Sequence, residues 1–548
     1  MRRLHPAWVG LLGALLYAPT LAYGFVSNDD PWLIRDNRLL HELSVSSVWT
    51  VFTDFSWERR YRLGAEYLPV RDLSVMIDYA LYGDWIGGHH LTQVLLYGLL
   101  CATVAIFVWK LFESRPLAWV ASLLFATHPV HVEAVCWLSE RKGVLGALLL
   151  FASFVCAVRY LRRGGGLVLV ASWLLFLLSV WSKGVNIAGA GAIVLVALVV
   201  GSVFKRRATL VGGYAVVGAA AFVPLYLTGR AMKMVQASAG SGPIDALLIF
   251  FQAHGKYLGL MTYGGPYAIQ YPLRPDVLSL GWWLCGAVAC GVGLAACVWA
   301  LLTKRWRSAA VFGVLWWLVF LAPVSQLVFP LQNYLADRYL FVPSFGLSLA
   351  AGALLLRLPQ RPSLALIAIC VLVGVAWTFA QTATWASSEA LYEQAVYVDP
   401  HNADAWDKLA NEAAQRKDFD RAWQLAAQGL EHSPDYWRLL HRQALILEAT
   451  GRLSDATVLM RRAASGPEAH RAHANLALLL LRQGKKEEAL EQAQRAVSYQ
   501  SQTAHNHRTL GIVAVELDDR GLACTAFKRA HELEPDNPQN QQNLQFCQ

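Results

Sequence analysis

Four groups of ionisable residues lie at the ends of long apolar runs in this sequence. Asp29 and Asp30, in the stretch FVSNDDPWLIRDN, follow directly on the first run. An ionisable side chain near membrane depth costs roughly a few kcal/mol unless it is paired or faces water, so such residues often mark functional sites. The other groups come from HPVHVEAVCWLSERKG, WSKG and NYLADRYLFVPS and contain His128, His131, Glu133, Glu140, Arg141, Lys142, Lys183, Asp337, Arg338 and Tyr339.

Carboxylates beside fixed cations suit one kind of chemistry. A carboxylate with a suitable pKa can remove the proton from a hydroxyl, and Arg or Lys can stabilise the negative charge that grows on a departing phosphate. Such a phosphate leaves as an anion, so its oxygen needs no acid. We therefore expect a reaction in which an external hydroxyl displaces a lipid-linked phosphate, with a sugar on a polyprenyl phosphate as the natural substrate.

The elements that must position these groups are membrane-spanning helices. Of the 548 residues, 56% are hydrophobic and 21 are tryptophan, and the mean hydropathy is +0.37, which is too apolar for an ordinary soluble protein. Apolar runs of about 20 residues cross a bilayer as helices. The predicted fold is all-α, with a polytopic transmembrane bundle of about eleven spans. The runs lie near residues 7–25, 91–112, 117–129, 137–160, 167–182, 185–203, 208–228, 278–302, 308–328, 339–357 and 363–381.

Arginine and lysine in the short connections predict the orientation of the bundle. They occur at every second connection, which the positive-inside rule places in the cytoplasm. The first run has no small-residue cleavage site, so we expect it to remain as a helix. The N-terminus is then cytoplasmic, and both the four ionisable groups and the C-terminal region are external. The basic connections are the initial MRR, Arg115, Arg162 with Arg163, KRR at 205–207, TKRWR at 303–307, and residues 357–361.

Charge and cysteine content argue against two classes of function. Residues 385–548 contain 18 Lys and Arg against 22 Asp and Glu, so the net charge of +9 belongs to the membrane part and does not mark a nucleic-acid surface. Seven of the nine cysteines lie in or beside apolar runs. The other two, Cys524 and Cys547, lack metal-ligand spacing, so the sequence supports neither a disulfide framework nor a zinc site.

The tail, residues 385–548, contains an internal repeat. Alanines recur every 33 or 34 residues, at 422, 456, 489 and 523, and prolines at 400, 434, 467 and 535 follow the same interval, which is the tetratricopeptide (TPR) period. Such a solenoid presents a concave groove, usually to a peptide or protein. The alternative is a spacer or a handle for dimerisation. The predicted organisation is a transmembrane domain at 1–384 with a first external loop at 26–90, a half repeat at 387–400, and repeats near 403–436, 437–469, 470–503 and 504–537.

The ionisable groups also have purely structural interpretations. Adjacent aspartates at a helix exit are often a solvated cap. His128, His131 and Glu133 are a weak metal signal, because the intervening proline disfavours a regular helical ligand face. The basic pair that follows could reach lipid headgroups. No metal site or cofactor is predicted, and a requirement for a divalent metal is left open.

Several motifs together resemble one protein family. They are NDDPWLIRDN, YLPVRDLSVMIDYALYG with GGHHLTQVLLY, HPVHVEAVCWLSERKGVL, WSKG, PVSQLVFPLQNYLADRYLFVPSFG, and Trp385 with its repeat array. In this order, over nearly the whole chain, they are similar to the transmembrane and TPR-repeat O-mannosyltransferases and their bacterial relatives, which are polytopic glycosyltransferases of the type C fold. The resemblance implies inverting transfer of a sugar, often mannose, from a polyprenyl-phosphate donor to a protein hydroxyl.

The same resemblance implies roles for individual residues. Asp29 or Asp30 would be the catalytic carboxylate of the first external loop. Gly143 departs from the family pattern, where an acidic residue is frequent, and so does Leu68, where an arginine commonly precedes the proline; either change could alter sugar choice. The donor site would comprise Arg141, Lys142, Lys183 and Arg338 around the phosphate, with Tyr339, Glu133, His128 and His131 shaping the pocket and Arg71, Asp72, His90 and Asp337 supporting the loop.

The predicted function is therefore a membrane glycosyltransferase acting on the extracytoplasmic side, in the periplasm of a bacterial inner membrane or in the lumen of the endoplasmic reticulum. Its TPR groove would bind the acceptor protein. Two alternatives stay open: a catalytically inactive scaffold anchored by its helical bundle, and a polymerase or ligase that moves whole lipid-linked glycans. Polymerases and ligases tend to use a large late external loop, whereas the candidate residues here gather around the first loop.

Overall fold

Helices make up the regular structure of this protein in a computed structural model, which confirms the predicted fold class. The structure describes residues 5–232, 242–263, 265–272, 279–303, 307–325, 331, 333, 335–466, 469–535 and 537–547. Within these ranges there is no strand, only an isolated bridge between Tyr271 and Leu335. The chain divides into two compact units, Met1–Leu391 and Tyr392–Gln548, and the boundary at residue 385 stays a prediction. The initial MRR, residues 304–306 of TKRWR, Pro467, and residues 326–330, 332 and 334 lie outside the described residues.

Each of the eleven apolar runs contains a helix, because a chain in hydrocarbon must satisfy its backbone hydrogen bonds internally. Among the described residues, five stretches are long and apolar enough to cross a membrane: Ile86–Phe112, Leu138–Arg163, Phe204–Arg230, Leu280–Ala300 and Gln360–Trp385. Helix length therefore does not fix the predicted number of eleven spans. The helices of the runs are Ala7–Leu16, Ile86–Phe112, Arg115–Ala126, Arg141–Arg163, Gly166–Ser182, Gly189–Val200, Phe204–Ala231, Leu280–Thr303, Ala309–Leu321, Ser344–Leu355 and Gln360–Thr382.

The connection between the first two of these helices is itself helical. After the short segment Ala18–Ala22 it contains a π-helical turn, Pro31–Arg35, and the helices Val45–Thr53, Trp57–Arg62 and Pro69–Tyr82. Pro69 sits in the first turn of its helix, where its missing N–H costs no hydrogen bond. These segments share an apolar core that also includes the connection after residue 137, so the loop packs against the segment that carries the predicted cations. That core contains Leu33, Ile34, Leu40, Val51, Leu63, Val75, Met76, Tyr79 and Leu138.

One further long helix, Pro243–Tyr263, was not predicted. Its sequence is interrupted by Asp245, His254 and Lys256, so it did not read as a continuous apolar run. It packs against Leu280–Thr303. Shorter helical segments are Ala18–Ala22, Arg38–Leu40, Pro129–His131, Val132–Cys136, Leu138–Glu140, Gly184–Ala188, Ala322–Val324, Asp337–Leu340 and Ala383–Trp385.

Paired glycines let neighbouring helices of the bundle touch at their backbones. A Cβ on Gly10 would lie 2.6 Å from the carbonyl oxygen of Gly98, and one on Gly98 would lie 2.8 Å from that of Gly10. Gly313 and Gly346 make the same kind of contact, at 2.2 and 2.3 Å. Small residues at helix crossings allow the close approach on which packing in membranes depends.

The tail consists of antiparallel helix pairs, as the TPR period predicts. The second helix of each pair carries one of the periodic alanines, and Ala422, Ala456, Ala489 and Ala523 are all fully buried. The helices are Ser388–Val398, Ala403–Gln415, Phe419–His432, Trp437–Ala449, Leu453–Ala464, His470–Arg482, Lys486–Tyr499, Ala504–Glu516, Arg520–Leu533 and Pro538–Gln545.

The turn inside each repeat places one residue in the left-handed backbone region. These residues are Lys417, Gly451, Gly484 and Asp518, with φ of 63°, 83°, 76° and 59°. Glycine adopts this conformation freely, whereas other residues are strained in it. We expect Lys417→Gly to raise the free energy of unfolding by up to about 1 kcal/mol, measured by chemical denaturation. Gly451→Ala, the matched change at the next repeat, should destabilise the tail. A loss of stability in Lys417→Gly would contradict the argument.

A disulfide joins Cys524 to Cys547, a bond that the sequence did not support. The two Cα atoms are 5.4 Å apart, a normal distance for such a bond. The sequence did not show this pair because its 23-residue separation becomes a contact only when Pro538–Gln545 folds back on Arg520–Leu533.

Candidate functional site

The two adjacent aspartates have different environments. Asp30 is only 1% exposed. Its Oδ1 accepts hydrogen bonds from the backbone N–H (2.9 Å) and the hydroxyl of Ser139, and its Oδ2 accepts one from the N–H of Val26 at 3.3 Å. Asp30 therefore ties the start of the first loop to the turn that precedes the predicted cations.

Asp29 lies in the preceding turn and is only partly buried. Its carboxylate accepts no hydrogen bond from any residue that the structure describes, and it interacts electrostatically with the buried Arg71 guanidinium. Of the two aspartates, Asp29 is thus the one whose carboxylate is free of hydrogen bonds from the described residues.

The titration of Asp30 should be visible in the stability of the protein. Burial, opposed by the hydrogen bonds from Ser139 and Val26, raises the pKa of Asp30 from 3.8 to about 6. Because the pKa is higher in the folded state, protonation stabilises the fold, and this contribution is lost as the pH rises through 6. Between pH 3.8 and 6 we expect the melting temperature of the wild type to fall relative to that of Asp30→Asn, which cannot titrate there. If the difference in melting temperature between the two proteins stayed constant over this pH range, the pKa of this carboxyl would not be raised.

The helix Pro69–Tyr82 contributes a buried ion pair within the first loop. The Arg71 guanidinium pairs with Asp72 at 2.6 Å and donates to the carbonyl oxygen of Leu63 at 2.6 Å. Glu66, which sequence analysis did not select, lies 3.6 Å from Arg71 and 2.6 Å from Lys142 Nζ. Although burial opposes the effect, these two cations hold the pKa of Glu66 below its usual range. Glu66 therefore links the loop to the helix that begins at Arg141.

Arg141 points away from its neighbour Lys142. It is 1% exposed, forms an ion pair with Asp78, and donates to the carbonyl oxygen of His89 at 2.7 Å. Asp78 is a second partner that sequence analysis missed. The structure thus places Arg141 as a brace between two helices, whereas Lys142 remains partly exposed at 21%.

Lys183 ends the helix Gly166–Ser182 and pairs with the fully buried carboxylate of Glu140. Gly143 makes room for this pair, since a Cβ there would lie 2.8 Å from Glu140 Oε1 and 3.2 Å from Lys183 Nζ. A side chain at position 143 would therefore displace the Glu140 carboxylate or the Lys183 ammonium group from their present positions.

Arg338 forms a further buried pair with a carboxylate. Its guanidinium pairs with Glu133, its backbone N–H donates to Glu133 at 2.7 Å, and it lies over the rings of Trp137 and Tyr339 at 5.4 and 5.2 Å. Lys183 and Arg338 line one narrow cleft of about 20 Å³, called the donor cleft below after the donor site that the sequence predicts at these residues. Its other lining residues are Gly143, Val185, Asn186, Phe320, Val324, Tyr339, Phe341, Val342 and Pro343.

The predicted histidines do not line this cleft. His131 is fully buried between the Tyr97 hydroxyl (2.9 Å) and the Ser344 hydroxyl (2.8 Å). His128 contacts the carbonyl oxygen of Met261 at 3.1 Å, and His90 is buried in the first turn of Ile86–Phe112. Asp337 is also buried and accepts a hydrogen bond from the Tyr271 hydroxyl at 2.8 Å. Among the described residues no three His, Cys, Asp or Glu side chains are placed to hold a metal ion.

Glu66, Asp78 and Ser139 are the partners that sequence reasoning missed. Ser139 and Glu140 lie inside the SERKG motif, so their position next to the basic pair was a usable signal. Asp78 lies inside the YLPVRDLSVMIDYALYG motif, but neither its pairing nor that of Glu66 could be read from the sequence, because the cations lie 63 and 76 residues away along the chain.

Comparison with known proteins agrees with the motifs. Protein O-mannosyl-transferase TMTC3 of Homo sapiens is 23% identical over 483 residues, which cover 78% of this chain and 51% of the relative. The homologues of this chain are TMTC protein O-mannosyl-transferases. The predicted resemblance is confirmed, and the apolar helices agree with a membrane protein. TMTC4 of Homo sapiens is 24% identical, covering 73% of this chain and 63% of the relative. The chain spans about half the length of the relatives that it matches first.

The tail also matches a known repeat. The family model of the tetratricopeptide repeat matches residues 470–503. Among solved structures, the crystal structure of MamA is 17% identical and covers 27% of this chain and 87% of that chain, with a TM-score of 0.24. The TPR assignment rests on the family model and on the helix pairs themselves.

Proposed function

We propose that this protein is a membrane glycosyltransferase that moves a single sugar from a polyprenyl-phosphate donor to a hydroxyl of a protein. The observation that carries the proposal is the composition of the donor cleft. Lys183 and Arg338 supply positive charge, and Val185, Phe320 and Val324 supply an apolar wall. A lipid phosphate needs both, since its head is anionic and its tail is hydrocarbon.

The first step is deprotonation of the acceptor. The Asp29 carboxylate accepts the proton of the hydroxyl, whose oxygen attacks the anomeric carbon of the sugar. The bond between that carbon and the phosphate oxygen breaks, and its electron pair leaves with the polyprenyl phosphate. Attack from the side opposite the leaving group inverts the anomeric configuration.

The cations of the cleft act on the departing phosphate. Lys183 and Arg338 are held by the buried carboxylates of Glu140 and Glu133, so they are in position before negative charge grows on the leaving oxygen. Preorganised charge of this kind lowers the barrier because no reorganisation is needed during the reaction. Lys142, which is paired with Glu66, also interacts electrostatically with Glu140.

Donor consumption tests the proposal. Purified full-length protein is incubated with polyprenyl-phosphate mannose, glucose and other sugars together with candidate acceptor proteins, and mass spectrometry follows both. We expect one donor to be consumed and one sugar mass to appear on the acceptor. Folded protein that consumes none of the donors would favour the scaffold, and transfer of a whole glycan would favour a polymerase or ligase.

The disulfide supports an extracytoplasmic tail. Disulfides persist in oxidising compartments and are rare in the cytosol, so the bond between Cys524 and Cys547 agrees with the orientation that the basic connections predict. In protein taken from membranes under non-reducing conditions, we expect a thiol reagent to leave both cysteines unlabelled until a reductant is added. A Cys524→Ser variant identifies the released thiol of Cys547. Labelling of both cysteines without reductant would place the tail in a reducing compartment.

A further inference from the structure

A large groove lies on the first helices of three consecutive repeats. It encloses about 460 Å³. We call it the cationic groove, and every residue lining it belongs to Ala403–Gln415, Trp437–Ala449 or His470–Arg482. The lining residues are Asp407, Lys408, Asn411, Trp437, Arg438, His441, Arg442, His470 and Arg471.

Only part of its positive charge is neutralised within the protein. Arg438 pairs with Asp404 at 2.6 Å, and Arg442 pairs with Asp407 at 3.0 Å. Lys408 and Arg471 have no carboxylate partner among the residues that the structure describes. The groove therefore offers two cations to a ligand, although the tail as a whole carries more acidic than basic residues.

His441 lines the cationic groove, and His505 is connected to it through Asn475. Burial, with Arg442 and Arg471 nearby, lowers the pKa of His441 to about 3. Burial, with Arg508 and Arg471, lowers the pKa of His505 to about 4. Both rings contact Asn475, at 2.8 and 3.3 Å. At neutral pH the His441 ring is therefore neutral and adds nothing to the positive charge of the lysine and arginine side chains.

The spacing of the two unpaired cations fits an extended chain. Lys408 and Arg471 lie two repeats apart, and at roughly 10 Å per packed helix this is a distance on the order of 20 Å. About six residues of extended peptide cover that length. A nucleic acid would present a closely spaced row of phosphates, which two separated cations match poorly.

We propose that the cationic groove binds an extended acidic segment of the acceptor protein, whose carboxylates pair with Lys408 and Arg471. This inference rests on the proposed function, because it names the chemistry by which the tail would recognise its acceptor. Charge complementarity of this kind contributes mainly specificity and association rate.

Peptide binding to the full-length protein in detergent tests the inference without any sugar donor. Fluorescence anisotropy compares a short peptide rich in Asp and Glu with its Asn and Gln counterpart. We expect the acidic peptide to bind at least about tenfold more tightly at about 0.1 M salt, and to weaken as salt screens the charges. Equal binding of the neutral peptide, or binding of a single-stranded oligonucleotide as tight as that of the acidic peptide, would overturn the proposal.

Charge reversal locates the site. The double variant Lys408→Glu, Arg471→Glu should weaken binding of the acidic peptide by about tenfold or more. The control is Lys528→Glu, which reverses an exposed cation on the second helix of the last repeat and should change the affinity less than about twofold. If the reversal unfolds the tail, Lys408→Gln with Arg471→Gln replaces it. Undiminished binding in the folded double variant would remove the groove from consideration. Peptide binding that persists without any sugar transfer would count against the proposed function and leave the groove intact.

Discussion

Asp29→Asn should lower sugar transfer by about 10²- to 10⁴-fold, the usual contribution of a general base, while the protein stays folded and inserted. The amide keeps the size of the side chain but cannot accept the hydroxyl proton. Since the Asp29 carboxylate accepts no hydrogen bond within the described part of the chain, its loss should leave the packing of the loop unchanged. The measurement is the initial rate of transfer with the donor that the panel identifies, beside the melting temperature.

Two further variants give this prediction its controls. Asp84→Asn removes an exposed carboxylate from the same loop and should keep the wild-type rate. Asp30→Asn should lower the melting temperature at neutral pH, because an amide nitrogen cannot accept the hydrogen bonds that Ser139 and Val26 now donate. Full activity in Asp29→Asn, together with lost activity in a folded Asp30→Asn protein, would identify Asp30 as the general base.

Lys183→Met should reduce both transfer and stability. Removing one partner of a buried ion pair strands the other charge and costs about 3–5 kcal/mol, and Glu140 is fully buried while Lys183 is 12% exposed. Losing one cation from the leaving phosphate should lower the rate by about 10²- to 10³-fold. Thermal unfolding and transfer kinetics measure the two effects separately.

The double variant Lys183→Met, Glu140→Gln separates the chemical effect from the structural one. The neutral amide no longer needs a cation, so most of the lost stability should return. Activity should stay low, because the donor cleft still lacks its positive charge. Arg338→Gln with Glu133→Gln offers the same comparison at the second pair. Recovery of transfer along with stability would show that Lys183 only supports the fold.

Local patterns were enough to predict the helices of the apolar runs and of the repeats. The apolar runs predicted a helix in each place, and the interval of 33 or 34 residues predicted paired helices with buried alanines. The helix Pro243–Tyr263 was missed because polar side chains interrupt its sequence. Hydropathy and periodicity are averaged over about 20 adjacent residues. They therefore detect a helix with a continuous apolar or periodic sequence and miss one that polar residues interrupt.

The candidate site depends on contacts that no local pattern contains. The sequence by itself determined which residue types stand at the ends of the apolar runs, and therefore the carboxylates and cations from which a site could be built. Only the tertiary structure decided that Asp30 is buried against Ser139, 109 residues away, that Glu140 meets Lys183 across 43 residues, and that Arg141 turns toward Asp78. An unpaired charge in a poorly hydrated site is costly, so each ionisable side chain takes the partner that packing brings to it. That partner is fixed by which helices pack together, and the linear order of the chain does not record it.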